Sequence, residues 1–398
     1  MAQRCFTRPA YSARVSEHDE LLARRSDYPV LGRKTYLANH TLGAMHRNTP
    51  RRLSAYAELW AEQGVRAWEA WAPEMVRIAD VVGALIGAPP GTTLLRQNVA
   101  DCLTDVATAL PLARRPRIVL ADLEWPGTRY LWSQYAPQLD VVHVSEDGVH
   151  ADLTRLAAVI DDRTAAVFVS QVFFRTATLN DVTPVVEAAH RHGALVVLDA
   201  YQAAGAVPLD VTAARVDVCV GGSVKFLCGG PGAGWMYVAP AALEALAPRT
   251  PSWWGHARPF AFEAEWEPAP GVARFAGGTP GVPAAYAAAP AYEALRDIGI
   301  TVVRERSVSL TQPLVEAIAE RGWVLRSPSE SARRGASVTF DPGDSERVHD
   351  ALTDRGFVVD HRPGAGIRVG PHFFNTSDEV AALVDAVVEI TRGARPLA

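Results

Sequence analysis

The stretch LDAYQAAGAVPLDVTAARVDVCVGGSVKFLCGGPGAGWMYV, residues 198–238, contains short apolar runs that end in residues able to carry chemistry. The run ALVVLDA closes at Asp199, and VDVCVGGS leads into Lys225. Runs that are apolar on both faces are typical of buried parallel strands. Because ligands bind outside the carboxyl ends of such strands, the stretch predicts an α/β sheet with both residues at its binding edge.

The same pattern extends on both sides of this stretch. From about residue 115, the runs PRIVLAD, VVHVS and AAVFVSQ alternate with helical segments, which predicts a large, doubly wound domain with a mainly parallel sheet. Beyond about residue 300, helices alternate with short strands, which predicts a smaller α+β C-terminal domain. We therefore expect a large domain over 35–290, a small domain over 291–398, and an N-terminal segment, 1–34, that packs on the small domain.

The composition indicates a globular enzyme of the cytoplasm. The 398 residues are 48% hydrophobic, and the formal net charge of -5 gives no basic surface for nucleic acid or an anionic membrane. No apolar stretch has the length of a membrane span, and the first residues lack the apolar core of a signal peptide. The four cysteines show neither metal-type spacing nor a disulfide framework, so we expect no metal site and a small-molecule substrate.

Lys225 is one of only two lysines in the chain, the other being Lys34. A phosphate-binding loop is excluded because Phe226 stands where that motif needs serine or threonine. A lysine without a role, on a surface loop, remains an alternative. A desolvated lysine has a lowered pKa and forms Schiff bases, and a carboxylate such as Asp199 would keep the pyridine nitrogen of pyridoxal 5'-phosphate (PLP) protonated.

Residues 198–238 resemble the class V aminotransferase superfamily of PLP enzymes, with strand-Asp-x-x-(His/Gln), a G-x-x-P-[LV]-D turn, and a Gly/Ser-rich step into lysine. The nearest likeness is to kynureninases and to the cysteine desulfurase and isopenicillin epimerase group. The resemblance implies PLP fold-type I, with Lys225 as the Schiff-base lysine and Asp199 as the partner of the pyridine nitrogen. It also implies that Gln202 lies near the cofactor's 3-hydroxyl and that Ser223 binds its phosphate.

Two further segments are candidates for the cofactor site. LLRQNVADCLTDVATAL predicts a helix capped by Asn98, whose first amides, at Val99 and Ala100, would bind the phosphate. Asp101 stands where the family often has threonine, and a plain capped helix remains the alternative. The segment LEWPGTRY resembles the family's E-F-P segment, which makes Trp125 the candidate for stacking on the cofactor ring. The alternative is that Trp125 is an ordinary buried tryptophan of the core.

Two later segments extend the resemblance to the substrate and to a second subunit. The stretch SWWGHARPFAFEAEWEPAPGVARFAGGTPGVPAA resembles the kynureninase region that reaches the neighbouring subunit's phosphate. It implies a homodimer with the active site at the subunit interface, to which Trp253 and Thr279 contribute in trans. The segment GAGIRVGPHFFNTSDEV resembles the family's carboxylate-binding segment, so Arg368 would bind the substrate α-carboxylate through a bidentate fork.

The sequence favours a kynureninase-like reaction on an α-amino acid, a hydrolytic Cβ–Cγ or related side-chain cleavage. The WWGH region and TYLANHTLGAM support it, whereas Val224, Gln202 and FFRTAT depart from the kynureninase pattern. An aminotransferase, an epimerase or a β-eliminating lyase is the alternative. A persulfide-forming cysteine desulfurase is not expected, because RSPSESARRGASVTF lacks the required cysteine. A binding protein without catalytic activity would be expected to lose Lys225, Asp199 or Arg368, and all three are present.

Overall fold

A computed structural model describes residues 20–392 of the chain. Its central feature is a seven-stranded sheet with the strand order β2-β8-β7-β6-β5-β3-β4. The strands are β2 (Thr93–Arg96), β3 (Arg117–Ala121), β4 (Gln138–Val142), β5 (Thr164–Ser170), β6 (Leu195–Asp199), β7 (Val218–Gly222) and β8 (Gly234–Val238). Neighbours from β3 to β7 pair in parallel, and β8 runs antiparallel to both β2 and β7. The predicted mainly parallel sheet is confirmed.

The central strands form because both of their faces are covered. All residues of β5, β7 and β8 are buried, so β-branched and other apolar side chains pack above and below the sheet. One core cluster contains Val167 and Leu198, and a second, on the other face, contains Phe168 and Val197. Successive residues of a strand point to opposite faces, so each strand contributes to both cores.

The helices are α1 (Thr49–Gln63), α2 (Trp68–Ala84), α3 (Val99–Ala109), α4 (Pro126–Tyr135), α5 (Thr154–Ala158), α6 (Thr183–Arg191), α7 (Val282–Ile298), α8 (Ile300–Glu320), α9 (Ser345–Asp354) and α10 (Ser377–Arg392). Helix α7 packs against α1 and α2, and α6 packs on β5 and β6. Gly299, at φ 86°, separates α7 from α8 in a conformation that favours glycine. None of the described helices is both long and apolar enough to cross a membrane.

A second, smaller sheet lies in the last third of the chain. Its strands are β9 (Val324–Leu325), β10 (Val338–Asp341), β12 (Asp360–Arg362) and β13 (Gly366–Val369), in the order β12-β13-β10-β9. Two short strands, β1 (Thr35–Tyr36) and β11 (Phe357–Val358), pair in parallel beside it. Helices α8, α9 and α10 supply its core, which includes Leu310, Leu352 and Leu383.

The described part of the N-terminal segment contacts this smaller unit. Arg25 donates two hydrogen bonds to the Glu379 carboxylate and one to the Phe374 carbonyl. Pairing of β1 with β11 and a bridge between Ala38 and Gly370 continue the contact along the chain. The domain limits at 34 and 290 remain predictions, and residues 1–19, with Cys5, and 393–398 lie outside the described residues.

Candidate active site

A cavity of about 380 Å³ opens at the carboxyl ends of β5, β6 and β7. This is the position at which parallel sheets bind ligands, and the volume falls in the range of about 300–1,000 Å³ found for small-molecule sites. The residues that line it are His40, Thr41, Val99, Ala100, Leu103, Trp125, Gly127, Thr128, Leu131, Ser170, Val172, Phe174, Asp199, Tyr201, Gln202, Lys225, Arg362 and Arg368. Several predicted site residues therefore share one cavity.

Lys225 follows β7 and extends its amine into the cavity. Its Nζ lies 4.4 Å from the centroid of the Tyr201 ring. The pKa of Lys225 is lowered to about 8, chiefly by burial; the Asp199 charge opposes this shift and the Arg368 charge contributes to it. A lysine with this pKa has an appreciable neutral fraction near pH 7, which is the form that attacks a carbonyl. The placement leaves no support for a lysine without a role on a surface loop.

Asp199 closes β6 at the floor of the cavity. The backbone N–H of Tyr201 donates to its Oδ1 over 2.7 Å. Burial raises the pKa of Asp199, while the Tyr201 hydrogen bond and the Lys225 charge act in the opposite direction. A buried carboxylate that keeps one oxygen free can pair with a ring nitrogen in the same cavity.

Behind this floor, Glu124 is fully enclosed. It accepts hydrogen bonds from the backbone N–H and the hydroxyl of Ser170, which pairs in register with Asp199. Burial raises the pKa of Glu124 to about 8, and the Asp199 charge adds to this rise. Glu124 is therefore mainly protonated near neutral pH.

The N-terminus of α3 forms another wall. Asn98 has extended dihedral angles and caps the helix, because its side chain accepts a hydrogen bond from the Asp101 backbone N–H over 3.0 Å. Val99 and Ala100 line the cavity, but Asn98 does not. Asp101 lines a separate cavity of about 270 Å³ and not the first one, and its Oδ2 accepts a hydrogen bond from Asn98 Nδ2 over 3.2 Å. The helix end is thus available for an anion.

Trp125 and Gln202 also reach the cavity. Trp125 is 49% exposed, which excludes a core tryptophan, and its ring meets the Phe174 ring edge-on with centroids 4.8 Å apart. Gln202 donates from Nε2 to the His40 carbonyl over 3.2 Å. Its Oε1 is buried and has no hydrogen-bond partner among the described residues. An orphaned buried oxygen in a cavity indicates that a ligand group completes its hydrogen bonding.

Three other predicted site residues do not line this cavity. The Ser223 hydroxyl donates to the Ala233 carbonyl and is hydrogen bonded to the Tyr292 hydroxyl, so its one O–H donor, which a phosphate would need, is engaged. Thr279 lines the separate cavity of about 270 Å³. Trp253 belongs to an aromatic cluster with Trp68, Trp254, Phe260 and Phe262. Their roles toward the cofactor remain predictions.

Arg368, on β13, lines the same cavity from the small sheet. It is 3% exposed and donates from Nε to Asp360 Oδ2 over 2.6 Å, with a second bond from Nη2 to the same oxygen. Its Nη1 donates to the Phe174 carbonyl over 2.7 Å. Asp360 thus occupies one edge of the guanidinium, and the predicted grip on a substrate carboxylate must use the remaining N–H groups.

Sequence reasoning missed His40, Thr41 and Arg362. His40 is 1% exposed, and burial lowers its pKa to about 4, so it is neutral near pH 7. Both residues of the pair His40 and Thr41 lie in TYLANHTLGAM, a segment that points to the family but not to individual side chains. They enter the cavity because β1 pairs with β11, more than 300 residues away in the chain. Only a signal for that long-range pairing would have identified them.

The cavity fits PLP. Lys225 supplies the amine, Asp199 the carboxylate for the ring nitrogen, and the N-terminus of α3 the amides for the phosphate. The orphaned Gln202 Oε1 faces this set. No group of three metal-ligating side chains occurs within residues 20–392. His190, in the histidine-containing segment AHRHG, is paired through Nε2 with Asp217 at 2.9 Å. The fold and the site together define a PLP-dependent enzyme of fold-type I.

Comparison with known proteins identifies the family. The model of the class V aminotransferases matches residues 54–383, and the chain belongs to this family. An uncharacterized aminotransferase, YcbU, of Bacillus subtilis (strain 168) is 29% identical over 92% of this chain and 97% of its own length. The kynureninase of Deinococcus radiodurans is 31% identical over 89% of both chains.

Solved structures agree on the fold. The cysteine desulfurase of Thermococcus onnurineus NA1 superposes with a TM-score of 0.82 at 19% identity, covering 93% of this chain and 97% of that one. At that identity the likeness concerns the fold alone. The cofactor of this class V enzyme is PLP.

Proposed function

We propose that this enzyme hydrolyses the side chain of an α-amino acid as a kynureninase does, at the Cβ–Cγ bond beside a side-chain carbonyl. The kynureninase relative at 31% identity supports this, and so does the division of the cavity. The cavity brings together Lys225 and Asp199, from the large sheet, and Arg368, from the small one. The resulting products are a carboxylic acid and alanine, with one water consumed.

The observation that carries the proposal is an apolar wall of this cavity. Trp125, Phe174 and Leu131 line the same cavity as Lys225, and the Phe174 ring lies edge-on to the Trp125 ring. Flat apolar walls bind aromatic side chains and exclude water from them. A kynurenine-type substrate has an aromatic ketone at the matching end, so its ring would lie against this wall.

The residues have distinct tasks in such a reaction. Bound PLP supplies the electron sink that weakens bonds at the substrate Cα. Lys225, with a pKa of about 8, is suited to take and return a proton at Cα. Asp199 would keep a proton on the ring nitrogen of bound PLP, because its buried carboxylate lines the cavity. Arg368 orients the α-carboxylate.

The test is product analysis on the purified holoenzyme. Kynurenine, 3-hydroxykynurenine and a panel of amino acids, each with and without a keto acid, are incubated with the wild type and with Lys225→Ala, and the products are identified by mass. Release of alanine with an anthranilate supports the proposal. Exchange of the amino group with the keto acid, without cleavage, contradicts it.

A second candidate is an aminotransferase. The relative YcbU bears that name, and Val224 and Gln202 depart from the kynureninase pattern at the positions nearest the cofactor. The carbonyl of Val224 accepts the Gly43 N–H over 2.7 Å, so the chain before Lys225 is held by its backbone rather than by a side chain. The same product analysis separates the two reactions.

The proposed enzyme is a homodimer in which Trp253 and Thr279 serve the partner's cofactor site. Neither residue lines the cavity of its own chain. Trp253 lies beside Phe262, which is 75% exposed, in an aromatic surface suited to burial against a second copy. The dimer predicts complementation: mixed dimers of Lys225→Ala and Trp253→Ala contain one intact site and regain activity. A monomer by light scattering, or no recovery on mixing, contradicts it.

A further inference from the structure

The small sheet presents three charged side chains to the cavity on one face. In the antiparallel pair of β12 and β13, Asp360 lies directly opposite Arg368. Arg362 follows Asp360 by two positions, so the pleat directs both toward the same side. Directly opposed residues in antiparallel strands bring their side chains into contact. Both arginines line the cavity, and Asp360 lies between them.

The hydrogen bonds divide unequally between the two arginines. Arg368 gives Nε and Nη2 to Asp360 and Nη1 to the Phe174 carbonyl. Arg362 makes no side-chain hydrogen bond to any of residues 20–392, and its Nε lies 3.3 Å from Asp360 Oδ2 in a poorly aligned ion pair. The side chain of Arg362 is 41% exposed although its Nε is buried, so its terminal N–H groups are the free donors at this end of the cavity.

The charges at this end do not balance. Among residues 20–392, Asp360 is the single carboxylate paired with the two arginines, and Arg362 and Arg175 act on Arg368 as like charges. His40, 3.8 Å from Asp360, is neutral near pH 7 and adds no charge. Lys225 and Asp199, which line the same cavity, oppose each other in sign. The result is a positive excess that one bound carboxylate would offset.

We propose that Arg362 is a second substrate-binding residue, which donates its terminal N–H groups to the α-carboxylate while Asp360 holds Arg368 in place. Arg368 then supplies the rigid part of the site, because its fork is already fixed by Asp360 and the Phe174 carbonyl. Arg362 supplies the terminal N–H groups, which make no hydrogen bond to any of residues 20–392. A planar guanidinium binds a carboxylate in a way that lysine reproduces only as a point charge.

This inference rests on the proposed action on an α-amino acid, but it can be tested without turnover. The probes are 3-phenylpropanoate and its uncharged analogue 3-phenylpropanamide, titrated calorimetrically into the holoenzyme. The wild type is expected to bind the acid more tightly than the amide. Arg362→Gln should lose about tenfold or more in affinity for the acid, as expected for charged hydrogen bonds, and should keep its affinity for the amide. Arg362→Lys should be intermediate.

Arg355→Gln is the matched control. Arg355 has a similar side-chain exposure, 43%, and one ion pair, with Glu389, away from the cavity. Equal affinity for the acid in Arg362→Gln and the wild type overturns the inference. Equal losses for the acid and the amide also overturn it, because they would assign Arg362 to packing.

Kinetics supply an independent readout on any amino acid that is turned over. Loss of a contact made equally in the ground and transition states raises KM and leaves kcat unchanged. Arg362→Gln is therefore expected to raise KM about tenfold or more with kcat retained. A fall in kcat at constant KM would overturn the assignment. Failure to cleave kynurenine would count against the proposed reaction alone, since carboxylate binding is measured separately.

Discussion

The titration of Lys225 can be measured separately from that of other lysines, because Lys34 is the only other lysine in the chain and is exposed. Burial lowers the pKa of Lys225 from 10.5 to about 8. At pH 7, a pKa of about 8 leaves about one amine in eleven neutral, whereas 10.5 leaves about one in three thousand. The cavity therefore increases the reactive fraction of Lys225 by about 300-fold near neutral pH.

Competitive acetylation of the cofactor-free protein measures this difference. Trace acetic anhydride is added between about pH 6 and about pH 11, a range that spans both values. Peptide mass spectrometry then gives the labelling of Lys225 relative to Lys34 at each pH. The midpoint for Lys225 is expected near pH 8.

Variants of the neighbouring charges test the cause. Asp199 raises the pKa of Lys225, so Asp199→Asn should move the midpoint lower. Arg368 lowers this pKa, so Arg368→Gln should move the midpoint higher. A wild-type midpoint above pH 10, or opposite shifts in the two variants, would refute the reasoning.

Three other outcomes are expected. Gly43→Ala should destabilise the fold by about 1–3 kcal/mol in urea denaturation and weaken PLP binding. The reason is that an added Cβ would meet the Lys225 carbonyl and lie 2.7 Å from the Cα of Cys228. Unchanged stability would contradict this packing. Cys102, Cys219 and Cys228 are buried, and burial raises the pKa of Cys228 to about 12. Protein with Cys5→Ser, which retains only these three thiols, should therefore show no rapid thiol labelling before unfolding. Rapid labelling would reopen a persulfide route. Burial raises the pKa of Glu124 from 4.5 to about 8, so its neutral form adds stability that is complete below pH 4.5 and lost as the pH rises through 8. The free energy of unfolding should therefore fall over this pH range in the wild type and fall less in Glu124→Gln. Parallel curves of unfolding free energy against pH for the two proteins would contradict it.

Local patterns were sufficient for the reacting end of the site. Asp199 and Lys225 each follow an apolar run, and the runs became adjacent parallel strands, β6 and β7. Because such strands carry ligands at their carboxyl ends, the run and its last residue together predict the location. Asn98 was predicted as a helix cap for the same kind of local reason, and its side chain does cap α3.

The carboxylate end depended on pairings that local patterns do not reveal. Arg362 is placed by its register opposite Gly366, and His40 reaches the cavity through the pairing of β1 with β11. The unequal use of the two arginines follows from Asp360, whose position opposite Arg368 is a matter of strand register. The position of Ser223 in the motif does not reveal that its hydroxyl is hydrogen bonded to the Tyr292 hydroxyl, which lies on another element of the chain.

The attachment of residues near Ala38 to the small sheet has a consequence for substrate length. Lys225 is carried by the large sheet, while Arg368 and Arg362 belong to the small one, to which the bridge between Ala38 and Gly370 also ties the neighbouring His40. The separation between Lys225 and the two arginines is therefore set by the packing of two sheets rather than by the reach of one side chain. A change in how closely the sheets pack would rescale the site as a whole, so substrate size can be altered from residues that touch no substrate.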